Sequence, residues 1–148
     1  MTDVDVEIYL IEKFKEIGEP LVTKPVKDES GKLVYPNLNL ENQSFKRPAN
    51  LYWFNLWFIP SLPLDSVSLC ANGKFWTGIF QIDICVPKNI GTKALYNRFN
   101  VIQKHFKTGF IAPGIRIVSV GRNPIQNADD YTALPVSVVW QGYLREDN

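Results

Sequence analysis

A chain of 148 residues with a formal net charge of +1 is one domain's worth of sequence, able to bury about two-thirds of its unfolded surface. Its 45% hydrophobic content excludes a disordered tail, and its charge balance excludes a strongly cationic nucleic-acid binder. No run reaches the roughly 18 apolar residues of a membrane span, and the acidic N-terminus is unlike a signal peptide, so synthesis and function in the cytosol, or in something assembled there, is expected.

In chain order, Thr2 to Ile17 reads as a helix. Val4, Ile8, Ile11 and Phe14, flanked by Leu10 and Ile17, form its apolar stripe, and Gly18 and Pro20 stop it. Val22 to Lys27, a turn at Asp28 to Gly31, and Lys32 to Tyr35 predict a charged β-hairpin over 22–35 that stands out from the domain. Pro36, Asn37, Asn39, Asn42, Pro48 and Asn50 then mark an extended loop. Leu51 to Ile59 is a strand apolar on both faces, with Leu51, Trp53, Trp57 and Ile59 on one and Tyr52, Phe54, Leu56 and Phe58 on the other. Ala71 to Lys74 is a turn into a second long strand, Phe75 to Val86, making an antiparallel hairpin with a long tip.

In that second strand Gly78, Phe80, Ile82, Ile84 and Val86 share one face, and Thr77, Gln81 and Asp83 the other. Pro87 ends it, and Thr92 is the expected N-cap of a helix over Lys93 to Phe106. Leu95, Phe99, Ile102 and Phe106 form the buried stripe of that helix, and Gly109 is expected to supply its left-handed exit. Ile115 to Val120 and Thr132 to Trp140 are further strands, and Pro135 points to an edge position or a bulge for the last. The expected architecture is a single α+β domain over 1–148. It has a four- or five-stranded, mainly antiparallel sheet with both helices on one face, leaving the other for a partner.

The chemistry of catalysis is sparse. His105 falls in the last helical turn beside Lys104 and Lys107, where a dipole-stabilising or core-edge role is expected over that of a general base. Cys70 and Cys85 have no CxxC spacing, and one histidine cannot build a zinc site. Asp129-Asp130 beside Asn127 suits a solvated turn more than a cation site. No GxSxG, P-loop or GxGxxG occurs. The expectation is therefore no catalytic, cofactor or metal residues. Tyr52, Trp53, Phe54 and Trp57 after Lys46 and Arg47 superficially resemble a base-stacking platform, but the strand has no basic residue inside it.

What is abundant is aromatic surface: four Trp, nine Phe and six Tyr. Rings beyond the needs of a core commonly end in protein interfaces.

The motif order resembles the tail terminator proteins of long-tailed bacteriophages, also seen as minor tail proteins in prophages. After an N-terminal helix and Pro36-Asn37-Leu38 comes Arg47-Pro48-Ala49-Asn50-Leu51-Tyr52, similar to that family's lead-in to an aromatic strand. Gly78-Ile79-Phe80-Gln81-Ile82-Asp83-Ile84-Cys85-Val86-Pro87 is similar to its G-x-F-Q-V-D-V-x-x-P strand. Gly91-Thr92-Lys93-Ala94 opens the helix, and Leu134-Pro135-Val136-Ser137-Val138-Val139-Trp140 resembles its final P-V-S-V-x-W strand. The charged hairpin over Val22 to Tyr35 departs from the compact pattern.

The resemblance implies a non-enzymatic ring, commonly a hexamer, at the head–tail junction of the virion and assembled in the host cytoplasm. Such a ring caps the tail tube, ends its polymerisation and joins it to the neck. Its partners would be further copies of itself, the major tail tube protein and a head completion protein, with DNA passing through the lumen without specific binding. On this reading Trp53, Trp57, Thr77, Gln81 and Asp83 are the candidates for contacts between subunits. Lys24, Lys27, Lys32 and Tyr35 of the hairpin, with Asn72 and Lys74 of the Leu62 to Lys74 loop, are the candidates for contacts with tube or neck. A head–tail connector or stopper ring is the alternative within the same class. A monomeric adaptor that holds a peptide or single-stranded nucleic acid on its aromatic strand is the alternative from another class.

Overall fold

The computed structural model describes residues 3–19, 21–41, 43, 45–48, 51–60, 64–65, 73–112 and 114–145. Helix α1 (Asp3–Lys15) buries Val6, Leu10 and Phe14, each four residues from the last. This stripe is rotated from the expected one. Ile11 and Ile17 flank it half-buried, while Ile8 is 56% exposed. Gly18, at φ +66, lets the chain reverse after the last turn, and Val22 N–H then donates to Gly18 O at 2.9 Å.

Strands β1 (Val26–Lys27) and β2 (Leu33–Val34) pair antiparallel as a ribbon whose residues 23–34 are all exposed. Asp28 closes its turn: Oδ1 accepts from Ser30 N–H at 2.9 Å, Ser30 Oγ–H at 2.6 Å and Lys32 N–H at 3.0 Å. Those donors hold the carboxyl below its ordinary range, the Ser30 hydroxyl contributing most. The expected loop after the hairpin contains a strand, β3 (Leu38–Leu40), which runs parallel to β4 (Trp53–Pro60). Three residues hold too little alternation to show a period of two, and the surrounding Asn and Pro read as loop.

The rest of the sheet comprises β5 (Leu64–Asp65), β6 (Gly73–Pro87), β7 (Gly109–Ala112), β8 (Ile115–Arg122), β9 (Gln126–Asn127) and β10 (Tyr131–Arg145). The order is β3-β4-β6-β10-β8-β7, with β5 beside β6 and β9 beside β10. The fold is α+β as expected, but among the described residues the sheet has eight strands rather than four or five. The additional ones are the short strands, which carry no readable pattern. Among the described residues every pairing in this sheet except β3–β4 is antiparallel.

Helix α2 (Thr92–His105) buries Leu95, Phe99 and Ile102. Its N-cap is Gly91, at φ 90, with no side-chain cap bond, so Thr92 is the first helical residue and not the cap. Phe106 closes the C-terminus by donating its N–H to Ile102 O, and Gly109, at φ 122, starts β7 instead of ending the helix. Phe54 and Leu56 of β4, Phe80 to Val86 at alternate positions of β6, and Leu134 to Trp140 at alternate positions of β10 form one cluster with the buried residues of α1 and α2. Both helices therefore cover the same face. His105 joins them, its Nε2 lying 2.5 Å from Lys13 O.

Pro135 is not on an edge strand. β10 lies between β6 and β8, with Pro135 opposite Asp83. Its carbonyl accepts Asn123 N–H at 2.9 Å, so its nitrogen faces the same side. There the partner strand is interrupted: β8 stops at Arg122, opposite Val136, and β9 resumes at Gln126, opposite Ala133. The missing N–H falls in that gap and costs no ladder bond. The irregularity in β8–β10 lies elsewhere, between Val139 and Trp140.

Candidate functional site

The face of the sheet away from the helices is built by the odd-numbered residues of β4, β6 and β10. Register sets them in rows across the three strands: Trp53, Cys85 and Ala133; Asn55, Asp83 and Pro135; Trp57, Gln81 and Ser137; Ile59, Ile79 and Val139. The rows differ in how far they are covered.

The first row is closed. Trp53, Cys85 and Ala133 form a second, small core with Phe45 and Tyr131 against it. Arg47 lies over this core, its guanidinium carbon 4.8 Å from the Trp53 ring and 4.6 Å from the Tyr131 ring, and it donates to Asp130 Oδ2 at 2.5 Å. Trp53 is consequently 5% exposed and packs within its own chain, so it is not available to a neighbour. Burial, helped by the charge of Asp83 and partly offset by Arg47, pushes the Cys85 thiol up to about 12. Asp130, in the turn whose acids could suggest a cation site, is occupied by Arg47. Among the described residues no group of three His, Cys, Asp or Glu could hold a metal ion.

The middle rows are polar and ordered by hydrogen bonds. Asn39 Nδ2 donates to Asn55 Oδ1 at 2.9 Å, and Asn55 Nδ2 reaches Cys85 Sγ at 3.6 Å. Asp83 accepts from Trp57 Nε1 at 3.0 Å on one oxygen and from Gln81 Nε2 at 2.8 Å on the other. The carboxylate thus fixes the indole edge while the ring stays 41% exposed. In the last row Ile59 is 47% exposed, with Ile79 and Val139 half-buried beside it. Three of the five residues expected at a subunit contact, Trp57, Gln81 and Asp83, therefore form one hydrogen-bonded group. Thr77 shares their face farther along β6, opposite Gln141, and Trp53 is separated under Arg47.

A second apolar projection lies across the sheet. Phe110 on edge strand β7 is 77% exposed, and its register partner Arg116 on β8 donates to Gln141 Oε1 at 3.2 Å. Sequence reasoning did not select Phe110, Ile59, Asn39 or Arg47. A single aromatic after Gly109 and an arginine in an aperiodic segment carry no pattern; the parity of Ile59 does place it on the face of Trp57, but without marking it as a contact.

Of the residues expected to reach a tube or neck, Lys24, Lys27 and Lys32 are exposed on the hairpin, and Tyr35 is half-buried with the Lys15 ammonium 4.8 Å from its ring. Asn72 lies outside the described residues, as does most of the Leu62 to Lys74 loop. Only the main chain of Lys74 is described, pairing with Asp65 and Leu144. The aromatic platform does not exist as a surface. Trp53 and Phe54 are buried, and Tyr52 is half-buried with the Arg98 guanidinium 3.8 Å from its ring, which leaves Trp57 alone exposed among the four.

No protein-family model matches the chain, and no curated protein matches it in sequence. The fold does have counterparts. A solved structure of a protein that carries a serial designation aligns over 95% of this chain and 98% of its own, with a TM-score of 0.62 and 11% identity. At that identity the likeness shows the fold alone. No helix among the described residues is long and apolar enough to cross a membrane.

Proposed function

We propose that the chain is a structural virion protein that closes into a ring, hexameric as in the family it resembles, on the end of a phage tail tube. The ring terminates polymerisation of the tube and forms the joint to the head completion protein, with DNA passing through without specific binding. No catalytic step belongs to this reading. Beside the motif resemblance, one observation carries it. A ring of identical subunits joined head to tail needs two different, complementary patches on each subunit. Trp57 and Ile59, with the carboxylates of Asp83 and Glu41 nearby, lie toward one edge of the sheet; Phe110 with Arg116 lies at the other. Each patch pairs exposed apolar surface with one sign of charge, and the signs are opposite. In the ring, Phe110 of one subunit packs against Trp57 and Ile59 of the next. The charged hairpin with Lys24, Lys27 and Lys32 extends toward tube or neck.

Light scattering across concentration, with negative-stain images of the same samples, tests the ring. Closed rings with a central hole are expected, either alone or on tail tubes. A protein that stays monomeric and fails to cap added tubes overturns the reading in favour of a monomeric adaptor. A ring that binds the head completion protein but never the tube makes it a connector or stopper. Lys27→Glu with Lys32→Glu tests the hairpin, and normal tail assembly by that variant removes the hairpin from the contact.

A further inference from the structure

A groove of about 860 Å³ runs between the β1–β2 hairpin, the end of α1, and residues 43 and 45–48. Along it lies the outer edge of β3, the terminal strand of the sheet. Phe54 N–H donates to Asn37 O at 2.8 Å, which fixes which main-chain groups of β3 face β4. By alternation, Leu38 and Leu40 turn theirs outward. Leu38 N–H is taken by Tyr35 O at 3.1 Å. The Leu38 carbonyl and both main-chain groups of Leu40 turn away from β4 and have no partner among the described residues, which leaves a template for another strand.

The charge of the groove is also one-sided. Its described lining carries four cations, Lys15, Lys32, Lys46 and Arg47, against one carboxylate, Asp28, whereas the whole chain has a net charge of only +1. Asp28 spends one oxygen on its own turn. Lys15 and Arg47 are held by Glu12 and Asp130, and neither Lys32 nor Lys46 has an ion-pair partner among the described residues. Val34 and Phe45 add apolar wall.

We propose that this groove takes an extended acidic peptide segment of a partner protein. The segment adds as a strand to the outer edge of β3, with its carboxylates beside Lys32 and Lys46 and its apolar side chains against the walls. Single-stranded nucleic acid would also meet the cations but needs free ring faces. The two rings among the described residues of the groove are engaged, Tyr35 by Lys15 and Phe45 against the Trp53 cluster. The inference does not depend on ring formation.

Fluorescence polarisation with a labelled octapeptide of alternating valine and glutamate tests it on the full chain. The acidic peptide is expected to bind at least about tenfold tighter than its valine–lysine counterpart and than oligothymidylate, with affinity falling as salt rises. Lys32→Glu with Lys46→Glu, both at exposed positions, is expected to weaken it by roughly tenfold. N-methylation of one alternate set of peptide amides, the set facing β3, is expected to abolish binding, and of the other set to spare it. In the unsubstituted protein the Leu40 amide should gain protection from exchange when the acidic peptide is added. Equal binding of acidic and basic peptides, preference for oligothymidylate, or full binding by both methylated forms overturns the proposal.

Discussion

The indole of Trp140 fills the space that Gly78 leaves empty on the neighbouring strand. The two are register partners between β10 and β6, and a Cβ placed on Gly78 would stand 2.7 Å from Cζ2 of that ring. Trp140 is fully buried and stacks on Phe58 with centroids 5.5 Å apart and planes 11° from parallel. Its Nε1 has no hydrogen-bond partner among the described residues, so the ring is held by its volume and not by its polar group. Gly78→Ala is expected to destabilise the fold by about 1–3 kcal/mol in urea unfolding, although alanine suits a strand better than glycine. Adding Trp140→Phe should recover part of that loss, because the clash and the second change share one space. Simple additivity would show that the indole shifts freely.

Asn37 is the buried polar residue on which the hairpin is mounted. Its Nδ2 donates to Leu21 O at 3.0 Å and its Oδ1 accepts Thr23 N–H at 3.2 Å, so one side chain pins the chain on both sides of Val22. Its own carbonyl accepts from Phe54 and starts the β3–β4 pairing. Asn37→Ala strands a carbonyl and an N–H, and a loss of about 2 kcal/mol is expected. Amide exchange should accelerate at Thr23 while α2 stays protected; uniform acceleration would mean that hairpin and core unfold together.

The long elements were legible because alternation persisted. β6 and β10 each hold 15 residues, and the two faces assigned to Gly78–Val86 and to Thr77, Gln81 and Asp83 are those of the structure. The stripe of α2 was equally readable, since Leu95, Phe99 and Ile102 lie on one helical face. In α1 there were more apolar residues than one stripe needs, and only packing against the sheet selects Val6, Leu10 and Phe14. The parity that brings Trp57, Gln81 and Asp83 together could be read in sequence; the fate of Trp53 could not. It depends on Arg47 folding back across two strands, and nothing local encodes that.

Arg47 supplies that cover through a plane, not only a charge. Its guanidinium faces the rings of Trp53 and Tyr131 and also bonds Asp130. Lysine keeps the charge but cannot stack and reach Asp130 in the same way. Arg47→Lys is expected to cost about 1 kcal/mol and to raise iodide quenching of tryptophan fluorescence, with Arg47→Ala going further. Unchanged quenching in the alanine variant would place the cover of Trp53 in Phe45 and Tyr131 alone.

Cys85 gives the fold a weakness at high pH. Folded, its thiol keeps its proton to about 12, against an ordinary value of 9.0, chiefly because it is buried. Between those two values the unfolded chain binds fewer protons than the folded one, so stability falls as pH rises, by a few kcal/mol at most (roughly 4). Urea unfolding followed from pH 8 upward should show this decline, and Cys85→Ala should flatten it relative to the parent. In a Cys70→Ser background the remaining thiol should resist alkylation until the protein unfolds. Rapid labelling of native protein would show that the Trp53 cluster opens readily.

The proposed contact between subunits makes a prediction that a general loss of stability cannot imitate. Asp83 stands by Trp57, and Arg116 by Phe110. If these patches meet head to tail, Asp83→Arg brings two cations together at the joint and Arg116→Asp brings two groups of anions together. Each single variant should therefore lower the assembled fraction by about tenfold at fixed protein concentration, with monomer unfolding little changed by Arg116→Asp. Combining the two restores opposite charges in reversed positions and should recover much of the assembly, which damage to either patch alone would not. Phe110→Ser should lower assembly whichever charges are present, because it removes the exposed ring that the Trp57–Ile59 surface receives. Rings that tolerate all of these variants are joined by other surfaces, and Trp57 is then exposed for a partner other than a second copy.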